Sequence, residues 1–472
     1  MVAMVGSPRR AAQLLVISMP ARRDFAAWVA LVVIGVGLAA DPAPLVGLVA
    51  IALGGMVAAR SLSACVAATM TALPFVAHPF TLGDWRFAHL ELALALTAFA
   101  LAVDVGTAMW HQRSLAAGTA LLRPWGVTMA ALVVATAGCI ATTRVADPEH
   151  LDASLRALRT VLLEPLILLP ATRRVLRGGG ATTLLAGLAA GAIAASVWAL
   201  AQIGSGGGLV ADDIRRATGP FTHPNGLAFL LERAIPLLAV AVVWRQSGLA
   251  RIGGALGLAI AAAALVATFS RGAAVALPVA CVLAAALVGQ RRILAAAVGA
   301  GITGTALFAL VAGERLLATG PGVGFSRMPL WQSSLRMLRD YPLSGIGPDQ
   351  FYAMYGTRYV EPAAWAERFT SHPHNLLLDA WLTLGVPGAA LVVLFLGWLA
   401  VSGRAWHRIF RRPGRPAGIH LLALGAWIAL VAGVGHGMLD NGFFLPDLAA
   451  FTWVAAALLA EGLTRTMPVG TS

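Results

Sequence analysis

Apolar runs of about 17 to 25 residues, the length that a transmembrane helix needs, recur along most of this chain. Charged, proline-rich or glycine-rich segments separate them, and we count fourteen runs, of which the first, second and sixth are short. They cover approximately residues 25–40, 43–59, 61–80, 87–110, 125–141, 155–170, 181–203, 224–244, 252–269, 273–289, 293–312, 376–401, 419–436 and 443–460. Hydrophobic residues make up 59% of the chain and charged residues only 12%, which a soluble core does not explain. The sequence predicts an all-α, polytopic transmembrane helical bundle of about 12 to 14 spans.

The placement of arginine gives the bundle an orientation. All 34 basic residues are arginine, and with the N-terminus inside, 20 of them fall in cytoplasmic segments where only Asp24 and Glu461 are acidic. Cytoplasmic loops carry such an excess, so the net charge of +13 reflects topology and does not indicate a nucleic-acid partner. We expect a cytoplasmic tail at 1–24, a single integral membrane domain at 25–462 and a cytoplasmic tail at 463–472.

One predicted outer loop, residues 313–375, is far longer than any other, and long loops often carry function. Four large apolar side chains in it recur at helical spacing: Met328, Trp331, Leu335 and Leu338. Arg336 and Asp340 form an i, i+4 pair on the other side of the same stretch. The sequence therefore predicts an amphipathic helix at the membrane surface.

Several outer segments carry distinctive motifs in a fixed order. They are THPNGLAFLL around Asn225, TFSRG at 268–272, Arg327 with Trp331 running into PLSGIGP at 342–348, and HNLLLDAWLTLGVPG from His374. Over about residues 180 to 400 this ordered set resembles the O-antigen ligase and O-antigen polymerase family.

The resemblance implies a bacterial plasma-membrane glycosyltransferase with a GT-C-like fold. Such a protein moves a glycan from a polyprenyl diphosphate carrier to an acceptor hydroxyl on the outer face of the membrane. The donor is the carrier-linked glycan, the acceptor is a glycan or a glycolipid, and no metal ion, nucleotide sugar or other cofactor takes part. Members of the family usually have nearer twelve spans than fourteen.

Transfer from a diphosphate carrier needs cations that neutralise the leaving group. Arginine suits this task because its planar fork pairs bidentately with phosphate oxygens and keeps its charge. The family motifs favour Arg271, in a short outer turn, and Arg327, at the start of the amphipathic helix, although Arg271 could also be an interfacial residue that snorkels to water. Further candidates for substrate contact are Arg215, Arg216, Arg233, Asn225, Arg336 and Arg339. Arg233 and its neighbour Glu232 lie inside the eighth run, where charges are costly and often functional.

His374 is the leading candidate for the base that takes the acceptor proton. Asn375 and the apolar run after it place His374 at a helix start, where the helix dipole disfavours imidazolium. His374 could instead cap or anchor that helix. His372 remains open as the base, and both His372 and Asn375 are candidate substrate contacts. His436 and Asp440 lie four residues apart at the end of the thirteenth run, where they either orient the site or stabilise the turn.

Other function classes fit parts of the pattern. Many secondary transporters also combine numerous helices with buried charges, although matching broken runs in two halves are not visible here. A peptidoglycan-type glycan polymerase would use an acid in the outer loop, for which Glu361 and Glu367 are available. A non-catalytic lipid-binding scaffold also stays open, and the motifs do not separate ligase from polymerase.

Overall fold

The computed structural model describes residues 22–112, 125–211, 214–244, 248–317, 327–410 and 418–464. The predicted cytoplasmic tails lie outside these residues except for 22–24 and 463–464. The α-helices of the N-terminal half are α1 (Arg22–Leu38), α2 (Pro44–Ala58), α3 (Leu62–Ala72), α4 (His89–Gln112), α5 (Trp125–Thr142), α6 (Leu151–Ala157), α7 (Leu168–Arg177), α8 (Ala181–Gly204) and α9 (Pro224–Trp244). Those of the C-terminal half are α10 (Gly248–Ala267), α11 (Arg271–Val288), α12 (Arg291–Leu317), α13 (Arg327–Asp340), α14 (Phe351–Met354), α15 (Leu376–Leu384), α16 (Val386–Phe410), α17 (Gly418–Gly437) and α18 (Pro446–Thr464).

Seven of these helices are long and apolar enough to cross a membrane, within the described residues: α4, α8, α9, α11, α16, α17 and α18. Four shorter apolar helices accompany them: α2, α3, α5 and α10. The only strands in the described ranges form two short antiparallel hairpins, β1 (Pro79–Leu82) with β2 (Trp85–Ala88) and β3 (Leu209–Ala211) with β4 (Ile214–Arg216). The predicted class, an all-α polytopic membrane protein, is confirmed.

Three of the predicted runs differ from a continuous helix. The sixth is broken into α6, a π-helix at Leu158–Leu163, a 3-10 helix at Glu164–Ile167 and α7, because Pro165 has no N–H to donate to an α-helical ladder. The third run ends at Phe75 and leads into the β1–β2 hairpin. The twelfth is split at Gly385, whose φ of 70° favours glycine and where an added Cβ would lie 2.2 Å from the Leu343 carbonyl oxygen.

Helix α17 lies at the centre of the C-terminal half, in contact with α9, α11 and α18. Its buried face consists largely of alanine and glycine, and such small side chains let helix backbones approach closely in membranes. The packing brings the start of α9, the start of α11 and the turn between α17 and α18 to one end of the bundle. These three segments carry Asn225, Arg271 and Asp440.

Helix α13 confirms the predicted helix in the long loop but not its predicted faces. Its buried residues are Leu330, Ser333, Ser334, Met337 and Leu338. Met328 and Leu335, placed on the apolar face by the sequence, are 47% and 49% exposed. Because α13 packs against α15 and the segment after α14, tertiary contacts select a different face. Arg336 pairs with Glu361 rather than with Asp340.

Candidate active site

Asp440, in the turn between α17 and α18, is the centre of a polar cluster and only 5% exposed. Its Oδ1 accepts hydrogen bonds from His374 Nδ1 at 2.9 Å, His372 Nε2 at 3.0 Å and the Asn441 amide at 2.8 Å. Its Oδ2 accepts from the Asn225 side-chain amide. Burial by itself raises the pKa of Asp440, but the hydrogen bonds from the two histidines and their charges outweigh burial and hold the pKa well below its usual range. An ionised carboxylate only accepts, so both imidazoles donate to it and their tautomers are fixed.

The second ring nitrogen distinguishes the two histidines. His372 Nδ1 lies 3.2 Å from the Ser371 hydroxyl, which donates to it. His374 Nε2 has no hydrogen-bond partner among the described residues, and its side chain is 26% exposed. Burial lowers the pKa of His374, and the hydrogen bond to Asp440 opposes this only in part. His374 is therefore a neutral imidazole that is oriented by a carboxylate and has an open lone pair, an arrangement suited to a general base.

The backbone around His374 is held in an uncommon conformation. His374 has a φ of 51°, and such strained residues persist only where their surroundings hold them. Asn375 supplies part of that support, because its Oδ1 caps α15 by accepting from the Leu377 and Leu378 amides at 3.1 Å each. Its Nδ2 donates to the Met438 carbonyl at 3.1 Å. Asn375 thus supports the site through these protein partners, and its predicted contact with substrate stays a prediction.

Arg216 joins the cluster, whereas Arg215 does not. Arg216 is buried and donates from Nε to the Thr268 carbonyl at 2.8 Å and from Nη2 to Asn225 Oδ1 at 3.0 Å. Asn225 in turn donates to the central carboxylate, so the three groups form one chain of hydrogen bonds. Side chains alternate along a strand, and Arg215 points away to donate to the Gly206 carbonyl.

Arg271 begins α11, and a buried chain of polar groups fixes the turn that precedes it. The Ser270 hydroxyl lies 3.3 Å from His436 Nε2, and His436 Nδ1 lies 2.9 Å from Glu232 Oε2. Gly272 is needed because an added Cβ would lie 2.1 Å from the His436 ring. Glu232 and His436 therefore position the S-R-G turn, and Arg271 reinforces a helix N-terminus, which itself favours anions.

Arg327 begins α13 beside the same cluster. One helical turn later, Trp331 Nε1 donates to the Pro373 carbonyl at 3.1 Å, which ties α13 to the histidine segment. Burial lowers the pKa of Arg327, the charge of Asp440 raises it, and the charge of Arg271 lowers it. The two leading arginines are thus close enough to act on each other electrostatically, and a diphosphate between them would relieve their repulsion.

Arg233 is buried away from any open groove, with only 3% of its surface exposed. Its Nη2 donates to the Gly442 carbonyl at 2.6 Å, and its guanidinium lies 5.2 Å from the centre of the Phe229 ring. It stabilises the turn that carries the central carboxylate. The predicted contact of Arg233 with substrate stays a prediction.

Arg336 and Arg339 are exposed on α13 and are not brought to the cluster. Arg336 lies nine residues after Arg327, which places it on the opposite side of an α-helix of 3.6 residues per turn. It pairs with Glu361. The predicted contact of Arg336 and Arg339 with substrate stays a prediction. The pairing also occupies one of the two glutamates that a peptidoglycan-type mechanism could have used.

His372, His374 and Asp440 offer three ligand atoms within 4.8 Å of one another, a donor set known from metal sites. The surroundings do not favour a cation, because the positive charge of Arg327 acts on His374 and Arg271 lies close enough to act on Arg327. An anion beside a neutral base fits this electrostatic environment better.

The arrangement joins a hydrogen-bonded base to a set of arginines contributed by separate helices. A family model described as O-antigen ligase matches residues 256–393. This segment is similar to the O-antigen ligase family. It contains Arg271, Arg327 and His374, and it covers less than a third of the chain. A search of curated proteins found no match.

The match to this family model confirms the resemblance seen in the sequence motifs and supports a ligase-like or polymerase-like membrane glycosyltransferase. Three members of the cluster lie outside the matched segment: Arg216, Asn225 and Asp440. Of these, Asp440 was the least evident in the sequence. Its only signal was the four-residue spacing from His436 at a helix end.

Proposed function

We propose that this protein transfers a glycan from a polyprenyl diphosphate carrier to an acceptor hydroxyl on the outer face of the bacterial plasma membrane. One observation carries the proposal: His374 donates to a buried carboxylate at 2.9 Å through Nδ1 and has an open Nε2 beside Arg327. A base next to fixed cations is what transfer from a diphosphate requires.

The reaction is a single displacement. His374 Nε2 takes the proton of the acceptor hydroxyl while the acceptor oxygen forms a bond to the anomeric carbon of the donor glycan. The bond between that carbon and the phosphate oxygen breaks, and its electron pair leaves with the polyprenyl diphosphate. Inversion at the anomeric carbon follows. Asp440 stabilises the imidazolium that forms.

The arginines act on the leaving group. Arg271 and Arg327 bind the diphosphate and neutralise the charge that develops on it as the bond breaks. Arg216 holds Asn225 and thereby the central carboxylate, so its effect on transfer passes through the base. No step of this scheme uses a metal ion.

The acceptor distinguishes ligase from polymerase. A ligase passes the glycan to a glycolipid or another acceptor, whereas a polymerase passes it to a growing polysaccharide, and the same base and cations serve both. Supplying isolated membranes with a polyprenyl diphosphate glycan and identifying the product separates the two, and a transport assay tests the carrier alternative.

Replacing the base tests the mechanism. We expect His374→Ala to lower transfer about 10²–10⁴-fold while carrier binding stays nearly intact, with the exposed His111→Ala as the matched control. Transfer by His374→Ala at the wild-type rate would refute the assignment of the base. Arg271→Ala should weaken both carrier binding and rate, with the exposed Arg144→Ala as its control, and an unchanged apparent affinity for carrier would contradict the role of Arg271.

A further inference from the structure

A cavity of about 190 Å³ is lined by His372, whose ring centre lies 4.2 Å from that of the candidate base His374. The lining comes from four segments: helix α15, the broken helix after α6, the turn at 346–351 and the turn after Asp440. Six of its lining residues carry the argument that follows: His372, Asp379, Thr383, Phe351, Asn441 and Phe444. An engineered apolar cavity of about 150 Å³ admits a benzene ring, so the space is large enough for one sugar ring.

Asp379 gives this cavity a polar group without a protein partner. It lies on the first turns of α15 and is 5% exposed. Its Oδ1 is 3.5 Å from the Thr383 hydroxyl, whereas its buried Oδ2 has no hydrogen-bond partner among the described residues. A buried polar atom left unpaired is costly, and most such atoms in native proteins are satisfied. A ligand that hydrogen-bonds to this carboxyl would remove the cost.

Burial raises the pKa of Asp379 to about 7. Near neutral pH the carboxyl can therefore both donate and accept a hydrogen bond, and a hydroxyl group can do the same. Phe351 and Phe444 add apolar surface to the lining. Aromatic rings beside a hydrogen-bonding carboxyl suit a ligand with hydroxyl groups and an apolar ring face, as in a sugar.

The wall of the cavity is rigid before any ligand binds. Gln350 is fully buried, and its Oε1 accepts from the Asp147 amide at 3.0 Å while its Nε2 donates to the Ser154 hydroxyl at 2.8 Å. Ser154 donates onward to the Pro348 carbonyl at 2.6 Å. A fully satisfied network of this kind preorganises a binding site and reduces the entropy lost on binding.

The charges of the lining disfavour the carrier diphosphate as the occupant. Arg156, whose side chain is exposed, is the one arginine that lines the cavity, and two carboxyl groups, Asp349 and Asp379, line it as well. Arg271 and Arg327 are not part of the lining. The cavity therefore favours a neutral polyhydroxyl ligand over an anion.

We propose that this cavity binds the terminal sugar of the acceptor glycan, with the Asp379 carboxyl hydrogen-bonded to its hydroxyl groups. The proposal rests on the proposed transfer function. The diphosphate of the donor lies on the arginine side of Asp440 and the acceptor sugar lies on the His372 side. The two substrates meet at His374, which takes the proton of the reacting hydroxyl.

Two small probes test this division with the full-length protein in lipid nanodiscs. Saturation-transfer NMR measures binding of methyl glycosides of glucose, galactose, mannose and N-acetylglucosamine, and calorimetry measures binding of inorganic pyrophosphate. We expect at least one glycoside to bind wild type and to lose at least tenfold in affinity in Asp379→Leu, with pyrophosphate affinity unchanged. Arg271→Ala should show the reverse pattern. The exposed Asp84→Asn should change neither affinity.

Thermal unfolding separates loss of the site from loss of the fold. Leucine removes an unpaired buried carboxyl, so Asp379→Leu should unfold at or above the wild-type temperature. If this variant does not fold, Thr383→Leu, which fills the cavity, should cause the same tenfold loss of glycoside affinity.

The outcomes distinguish this inference from the transfer function itself. The cavity proposal is overturned if no glycoside of the panel binds wild type, or if Asp379→Leu and Thr383→Leu both bind as wild type does. Glycoside binding that depends on Asp379, in a protein that transfers no glycan from a polyprenyl diphosphate donor, would refute the transfer function and leave the sugar site in place.

Discussion

Asp440→Asn is the most informative single substitution, because it keeps the shape of the side chain and changes only its hydrogen bonding. On one side Asp440 accepts from His374 and His372, and on the other it accepts from Asn225. Asparagine at 440 must turn its NH₂ either to the histidines or to Asn225. Turned to the histidines, it requires the His374 tautomer that has no lone pair on Nε2. Turned to Asn225, it faces a second NH₂, and Asn225 cannot rotate because its oxygen accepts from Arg216.

The size of the effect follows from these alternatives. A positioned general base contributes about 10²–10⁴ in rate, and exchange of the carboxylate for an amide in a Ser-His-Asp triad costs about 10⁴ through the wrong tautomer. The unpaired donors destabilise the fold by about 1–3 kcal/mol. We therefore expect transfer by Asp440→Asn to fall about 10²–10⁴-fold while the protein still folds.

Single-turnover transfer from a polyprenyl diphosphate glycan, measured beside thermal unfolding, provides the assay. Because Asp440 acts through His374, the double variant with His374→Ala should be no slower than His374→Ala alone. The exposed Asp84→Asn is the matched control. Wild-type turnover by Asp440→Asn, or losses that multiply in the double variant, would refute the coupling between carboxylate and base.

Three further predictions follow from the same geometry. The pKa of His374 is held below its usual value, and the neutral ring is the active form. The transfer rate should therefore be constant near neutral pH and fall only as the pH drops through that lowered pKa. A pH–rate profile whose acid limb lies above pH 7 would contradict this. Gly272→Ala places a Cβ 2.1 Å from the His436 ring and should destabilise the protein by about 1–3 kcal/mol through overpacking. A thermal unfolding experiment should show a lower unfolding temperature. An unchanged temperature would show that the turn is not tightly held. Arg216→Lys replaces a guanidinium that donates to two acceptors with a single ammonium group. The loss of one charged hydrogen bond, about 1.5–3 kcal/mol, should reduce transfer at least tenfold without changing pyrophosphate affinity. A selective loss of pyrophosphate binding would instead indicate that Arg216 contacts the diphosphate of the donor.

The sequence predicted the class of fold because apolar runs of membrane-spanning length are a local property of the chain. Eleven of the fourteen predicted runs coincide with continuous α-helices. The interruptions at Pro165 and Gly385 were less evident in the sequence. A missing N–H donor ends the regular hydrogen bonding at Pro165, and a close backbone contact ends it at Gly385. The motifs around Arg271, Arg327 and His374 were recognisable because each lies in one continuous segment.

The tertiary structure decided how the candidate residues are used. Arg215 and Arg216 are neighbours in sequence, yet side chains alternate along a strand, so only Arg216 of strand β4 reaches the cluster. His372 and His374 have similar sequence contexts, and only the distances to Asp440 and Ser371 show which imidazole has an open nitrogen. The Asp440 carboxylate lies in a turn more than 60 residues along the sequence from either histidine. Local pattern determines which segments become helices, whereas hydrogen bonds and charges between distant segments determine which side chains can act together, and these depend on the packing of the helices.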